Sequence, residues 1–338
     1  MTASQIPSGK NLPGAINRPL ADRLRPYLPE IVVTVLLALA FIAGSLLSPF
    51  FLDTQFLFRE AMLYMEIGIL ALGATLVIIS GNLDLSSAAN LAMVAGVTAY
   101  LHAKLGVPFE LCIPLGLLLG ALGGAFNGLL VAYLGLPSLV VTLGTLALYR
   151  GIAQVLLGDY SIQDMPKWFF GLDRYTLAGT SIPVPFVIFL VLALICALLL
   201  HKTVFGRWVY SLGTNERAAY FSGVPVKRVK LLVFTFAGFL AGLAALMLNS
   251  RLMVARYDHA RGWELDAITA VVLGGTSIAG GRGSIYGTVV ALLLMAVLRT
   301  AMGVANIKVE AQLTVIGTLL IVAVILSDVL GRRRRPRS

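Results

Sequence analysis

Long apolar stretches separated by short polar connections set the pattern of this chain. They fall at 31–52, 61–79, 86–101, 111–134, 138–157, 184–200, 231–248, 265–278, 284–304 and 313–327. A helix needs roughly 20 mostly apolar residues to cross a bilayer, and the stretches at 31–52, 111–134 and 231–248 match or approach that length. The pattern predicts an all-α fold, a polytopic membrane helical bundle of about ten transmembrane segments. The third and eighth stretches are short for a full span and are expected to be half-helices or re-entrant elements inside the bundle. A length of 338 residues suggests two domains in a soluble protein. The repeated apolar runs instead predict one membrane domain at 31–329, between a disordered polar tail at 1–30 and a basic tail at 330–338.

Small residues recur at four-residue spacing inside these runs. Gly116, Gly120, Gly124 and Gly128 form one stripe, Ala88, Ala92 and Gly96 a second, and Gly283, Gly287 and Ala291 a third. Such stripes let helix backbones approach closely where lipid offers no hydrophobic drive to pack. Two turns also echo each other. Gly81-Asn82-Leu83-Asp84-Leu85-Ser86 and Gly280-Gly281-Arg282-Gly283-Ser284 each place a charged residue two positions ahead of a serine that can open a helix.

Composition adds an orientation. Apolar residues make up 58% of the chain and charged ones 12%, while 26 Lys and Arg against 16 Asp and Glu leave a net charge of +10. The cations sit in the connections and form no amphipathic face with interleaved aromatics, which argues against nucleic acid as a partner. Cytoplasmic loops of membrane proteins collect Lys and Arg. Lys10, Arg18, Arg23, Arg25, the cluster at 202–230, Arg282 and the run Arg332–Arg335 with Arg337 therefore predict both termini in the cytoplasm. The arginine tail then lies against membrane lipid or acts as a topological anchor. The first apolar run starts late and is full length, so it is expected to remain as a helix and not to be cleaved as a signal peptide. Cys112 and Cys196 lie inside apolar runs, and His102, His201 and His259 are dispersed. No catalytic or metal site is expected from them, and no cluster suited to a membrane-embedded enzyme.

The stretch 206–225 carries the most specific chemistry. Asn215 can cap a short helix with Glu216 in its first turn. Ala218 and Ala219 keep that helix slim, Gly223 ends it, and Pro225 blocks continuation. A short capped helix with a small-residue face suits docking into another protein. Polar residues within or beside the apolar runs are candidates for a translocation path: Asn82, Asp84, Ser86, Asn127, Thr142 and Asp266. Asp84 can equally cap the third helix, and Asn127 can be interhelical glue. Glu66, Arg150 and Gln154 are similar cases. The outer connections 158–183 and 251–264 carry Trp168, Tyr257 and Trp263 and are long enough to receive a protein.

The Glu216-x-Ala218-Ala219-x-x-x-Gly223 pattern resembles the coupling loop of ATP-binding-cassette importer permeases, and the chain is similar more narrowly to the ribose-, rhamnose- and autoinducer-2-type sugar permeases. Further matches are Ser80-Gly81-Asn82-Leu83-Asp84-Leu85-Ser86, Asn127-Gly128, Val141-Thr142-Leu143-Gly144-Thr145, Glu264-Leu265-Asp266-Ala267-Ile268, Gly274-Gly275-Thr276-Ser277 and Gly280-Gly281-Arg282-Gly283-Ser284. The resemblance implies a multi-pass subunit of the bacterial inner membrane that moves a monosaccharide-like solute by alternating access. It also implies three kinds of partner: cytoplasmic ATPase subunits, a second permease copy or paralogue, and a periplasmic sugar-binding protein. The chain holds no Gly-x-x-x-x-Gly-Lys-[Ser/Thr] loop. ATP and Mg are therefore expected on the partner ATPase, with no cofactor in this chain. A nucleoside or amino-acid importer, or an ion-coupled secondary transporter, are the rival readings.

Overall fold

A helix that is apolar on every side belongs inside its bundle. The computed structural model, which describes residues 28–171, 175–177 and 179–332, is arranged around one such helix. Numbering the helices in chain order, α1 is Leu28–Leu47, α2 Thr54–Met62 and α3 Met65–Ile79, and all 15 residues of α3 are buried. Next come α4 (Ser87–Leu105), α5 (Phe109–Ala132), α6 (Ser138–Leu157) and α7 (Val184–Lys202). Two short helices follow, α8 (Val204–Thr214) and α9 (Glu216–Phe221), and then the long α10 (Val226–Leu252). The series ends with α11 (Trp263–Leu273), α12 (Ile285–Val304) and α13 (Val309–Arg332). No strand forms among the described residues; Ile162 with Ala255 and Thr176 with Pro183 make isolated bridges. The expected tails lie mostly outside the described residues, although α1 already begins at Leu28 with Pro29 in its first turn, where a missing N–H costs nothing.

Six of the described helices are long and apolar enough to cross a membrane: α1, α5, α6, α7, α10 and α12. A seventh span results if α2 and α3, bent by 56° across Leu63 and Tyr64, count as one. Of the two segments expected to be short, α4 runs 19 residues, while α11 has only 11 and rises roughly 16 Å, half a hydrocarbon core. The eighth stretch therefore overran its helix. It stops at Leu273 because Gly275, at φ +91°, turns the chain and Thr276 N–H closes back onto the Val271 carbonyl.

The closest packing is between α5 and α10, along the first glycine stripe. A methyl group on Gly120 would lie 2.6 Å from the Gly238 carbonyl oxygen and 2.8 Å from Gly242 Cα. One on Gly124 would overlap the Phe234 carbonyl. Only hydrogen fits at these crossings, and the gain is dispersion contact along two apposed backbones. The outer helices behave oppositely. Leu39 and Ile42 on α1, Val140 and Val155 on α6, and Val191 and Leu194 on α7 are exposed, as lipid-facing side chains must be.

Candidate functional site

The segment between α7 and α10 consists of two helices where the sequence indicated one. The Thr203 hydroxyl caps α8 by accepting from Gly206 N–H, and Val209 and Leu212 bury one face. Asn215 then breaks the helix in extended conformation, with φ −162° and ψ 107°. Its carboxamide oxygen accepts from Ala218 N–H at 3.0 Å, which starts α9 in the expected place. Ala219 packs inward, and Gly223, at φ +83°, lets the chain leave while Val224 N–H returns to the Ala219 carbonyl. Glu216 is held by Lys230, whose Nζ lies 2.8 Å from both carboxylate oxygens. That pair ties α9 to the first turns of α10. The side chains α9 presents outward are Tyr220, 66% exposed, and Phe221, 86% exposed. They stand beside a cleft of about 1510 Å³ between α9 and the 133–138 connection, with Tyr133, Arg217, Lys227 and Arg228 on its walls and Gly81 and Asn82 at its floor.

A buried polar cluster lies just beyond that floor, in the α3–α4 turn. Asp84 Oδ1 accepts from the Ser86 amide at 2.8 Å and from the Ser86 hydroxyl at 2.7 Å. Asn127, on α5, donates to the same Ser86 hydroxyl at 2.7 Å. From α6, the Thr142 hydroxyl reaches the Ser138 and Leu83 carbonyls, and Ser138 Oγ accepts from Leu83 N–H at 3.1 Å. Asn82 turns aside to Ser80. Asn82, Asp84, Ser86, Asn127 and Thr142 are all buried. The carboxylate closes the turn ahead of α4 and leaves the capping position to Ser86, so Asp84 orders the chain without being the helix cap.

Residues 56–324, most of the chain, match the family described as "Branched-chain amino acid transport system / permease component". The chain belongs to this permease family. The Autoinducer 2 import system permease protein LsrD of Photorhabdus temperata is 35% identical over 302 residues, covering 88% of this chain and 90% of its own length. The LsrD protein of Salmonella typhimurium is 37% identical over 307 residues, covering 89% and 92%. That of Escherichia coli O9:H4 is 37% identical over 302 residues, covering 88% and 91%. No solved structure matches the chain. The resemblance to sugar-type permeases is thus one of family.

Asp266 does not join the polar cluster of the permease. It pairs with Arg299 at 2.8 Å, and that guanidinium also stacks over Tyr64. Glu66 likewise pairs with Arg251 at 2.8 Å. Arg150 Nη1 donates to the carbonyls of Tyr257 and His259 at 2.7 and 2.6 Å, pinning the 253–262 connection to α6. Within that connection Arg256 holds the Asp258 carboxyl below its usual range, and burial depresses His259. Among the described residues, no group of three or more His, Cys, Asp or Glu is placed to hold a metal.

Three parts of this arrangement escaped the sequence. Ser138 and Ser80 complete the polar cluster, but a lone serine at the start of α6 or at the end of α3 carries no signal of its own. The amphipathic α8 was legible in the spacing of Phe205, Trp208, Val209 and Leu212. The exposed pair Tyr220-Phe221 was legible too, as adjacent aromatics on a slim helix flanked by cations.

Proposed function

We propose that this chain is the membrane-spanning permease subunit of an ATP-binding-cassette importer whose solute is autoinducer 2 or a similarly small, neutral furanose- or pyranose-type sugar. The observation that carries this reading is the likeness, along nearly the whole chain, to permeases of autoinducer 2 import systems. The coupling segment supports the division of labour: a rigidly capped helix offers two exposed aromatics and a basic cleft, features suited to a docked protein. In this reading α9 meets a cytoplasmic ATPase that binds ATP and Mg. A second permease copy or paralogue completes the path, and a periplasmic sugar-binding protein delivers the solute to the outer connections 158–183 and 253–262.

The chain would thread the inner membrane ten times, counting α2 with α3 as one passage and α11 as a partial one, with both termini in the cytoplasm. The inner face then holds α8, α9 and the 80–86, 133–137 and 274–284 turns. The membrane passages contribute no covalent chemistry. They alternate access, as ATPase closure moves α9 and the bundle behind it. The family description favours a second reading, a branched-chain amino acid as solute.

Reconstitution of the permease with its ATPase and binding protein in proteoliposomes tests both. Uptake of autoinducer 2 that requires ATP and the binding protein is the expected result. Uptake of leucine in its place supports the second reading, and uptake by the lone permease driven by a proton or sodium gradient overturns the importer assignment.

A further inference from the structure

Three segments distant in sequence meet at a knot of glycines behind the coupling helix. Gly213 lies in the last turn of α8, two residues before Asn215 opens α9. A methyl group on Gly213 would overlap the Ile79 carbonyl oxygen at the end of α3 and stand 2.5 Å from Gly281 N. Gly281 N–H in turn donates to that same Ile79 carbonyl at 2.9 Å, satisfying an acceptor the end of α3 leaves open. On Gly280 a methyl would lie 2.7 Å from Gly81 Cα and 3.0 Å from the Gly213 carbonyl oxygen. On Gly281 it would lie 2.6 Å from the Thr214 hydroxyl. Tyr210, one turn earlier on α8, donates its phenol to the Gly283 carbonyl at 2.7 Å. Burial, with Glu30 nearby, pushes that phenol up to about 12, so it stays a donor at any physiological pH.

Apart from the Thr214 hydroxyl, behind which the Thr214 backbone stands at 2.9 Å, these contacts are backbone on backbone or hydrogen bonds to backbone. Backbone cannot swing aside as a side chain can, so the end of α8 moves only if the α3–α4 and α11–α12 turns move with it. The α3–α4 turn carries Asp84 and Ser86, and through Ser86 it holds Asn127 of α5. We infer that Gly213 is a positioning residue for transport: through it, displacement of α9 is passed to both turns at once and so into the buried polar cluster. The inference rests on the proposed docking of an ATPase at α9. It adds the route by which that docking reaches the membrane interior, since interfaces packed this closely switch between discrete arrangements and do not deform smoothly.

The test uses the complete complex of permease, ATPase and binding protein in proteoliposomes, with Gly213→Ala, Tyr210→Phe and, as control, Gly303→Ala, whose surroundings are open. Gly213→Ala is expected to retain its ATPase on co-purification while autoinducer 2 uptake per ATP hydrolysed falls by about tenfold or more. Tyr210→Phe adds no bulk and should lower the same ratio by several-fold; it decides the matter if the alanine variant does not fold. The uptake-to-hydrolysis ratio separates a transmission role from mere loss of protein, which lowers both quantities together. A wild-type ratio in Tyr210→Phe, or in a folded Gly213→Ala complex, overturns the inference and leaves the proposed function standing. A wild-type permease that binds no ATPase overturns the proposed function and this inference with it.

Discussion

The Asp84 side chain shows how a charged residue is retained in a largely apolar protein. Its Oδ1 takes both hydrogen bonds that Ser86 offers, and Ser86 is thereby aimed to accept from Asn127. Removing the carboxylate leaves a buried amide and a buried hydroxyl short of an acceptor, a loss of about 1–3 kcal/mol. Asp84→Ala should therefore lower the thermal midpoint of the detergent-solubilised permease. Asp84→Asn keeps one oxygen acceptor and should retain most of the stability, and equal midpoints for the two variants would show that the hydrogen bonds carry nothing. Activity separates the remaining possibility. If the carboxylate also meets solute on its way through, Asp84→Asn will be stable and still transport poorly.

At the scale of helices, the α5–α10 seam is the most constrained element pair. Gly124 faces the Phe234 carbonyl and Gly238 at closer than side-chain distance, so Gly124→Val has no rotamer that avoids backbone. Its cost should exceed the roughly 1–3 kcal/mol of ordinary overpacking. The permease should fail to elute as a monodisperse species on size-exclusion chromatography, while Gly144→Val, on the open face of α6, should elute as the wild type does. A normal profile for Gly124→Val would mean the seam is looser than its geometry. This seam was legible in the sequence because small residues at four-residue spacing have one packing meaning. So were the membrane helices themselves, since an apolar run of spanning length has few other fates, and the α9 start at Asn215, since a cap is a local event. The α2–α3 bend and the early stop of α11 were not. At the second, Thr276 returns to Val271 only after Gly275 has turned, and Gly274 there packs against the backbone of Gly287 on α12. The polar cluster was half legible for the same reason. Asn82, Asp84, Ser86, Asn127 and Thr142 stood out as polar groups in apolar runs, but which of them touch, and that Asp266 answers to Arg299 instead, depends on tertiary proximity alone.

For the whole molecule, charge and threading make one argument. The pairs Glu66–Arg251, Asp266–Arg299 and Arg256–Asp258 offset cations at the end of the bundle reached by the C-terminus of α10. At the opposite end Arg217, Lys227 and Arg228 line the cleft beside α9 with their charge exposed, and a surplus of positive charge marks the cytoplasmic side. Cysteine labelling can read this directly, because the two native thiols are silent: Cys112 and Cys196 are both 0% exposed. Tyr160→Cys, in the 158–171 connection, should react with a membrane-impermeant maleimide on intact spheroplasts. Tyr220→Cys, on α9, should react only after permeabilisation. Co-expression of the ATPase should then shield position 220 and leave 160 as reactive as before, because a docked protein covers α9 but not the far face. Labelling of position 220 from outside would invert the threading and place the basic cleft where no ATPase can reach it. Reactivity at 220 that the ATPase leaves unchanged would keep the threading but move the docking site off Tyr220 and Phe221.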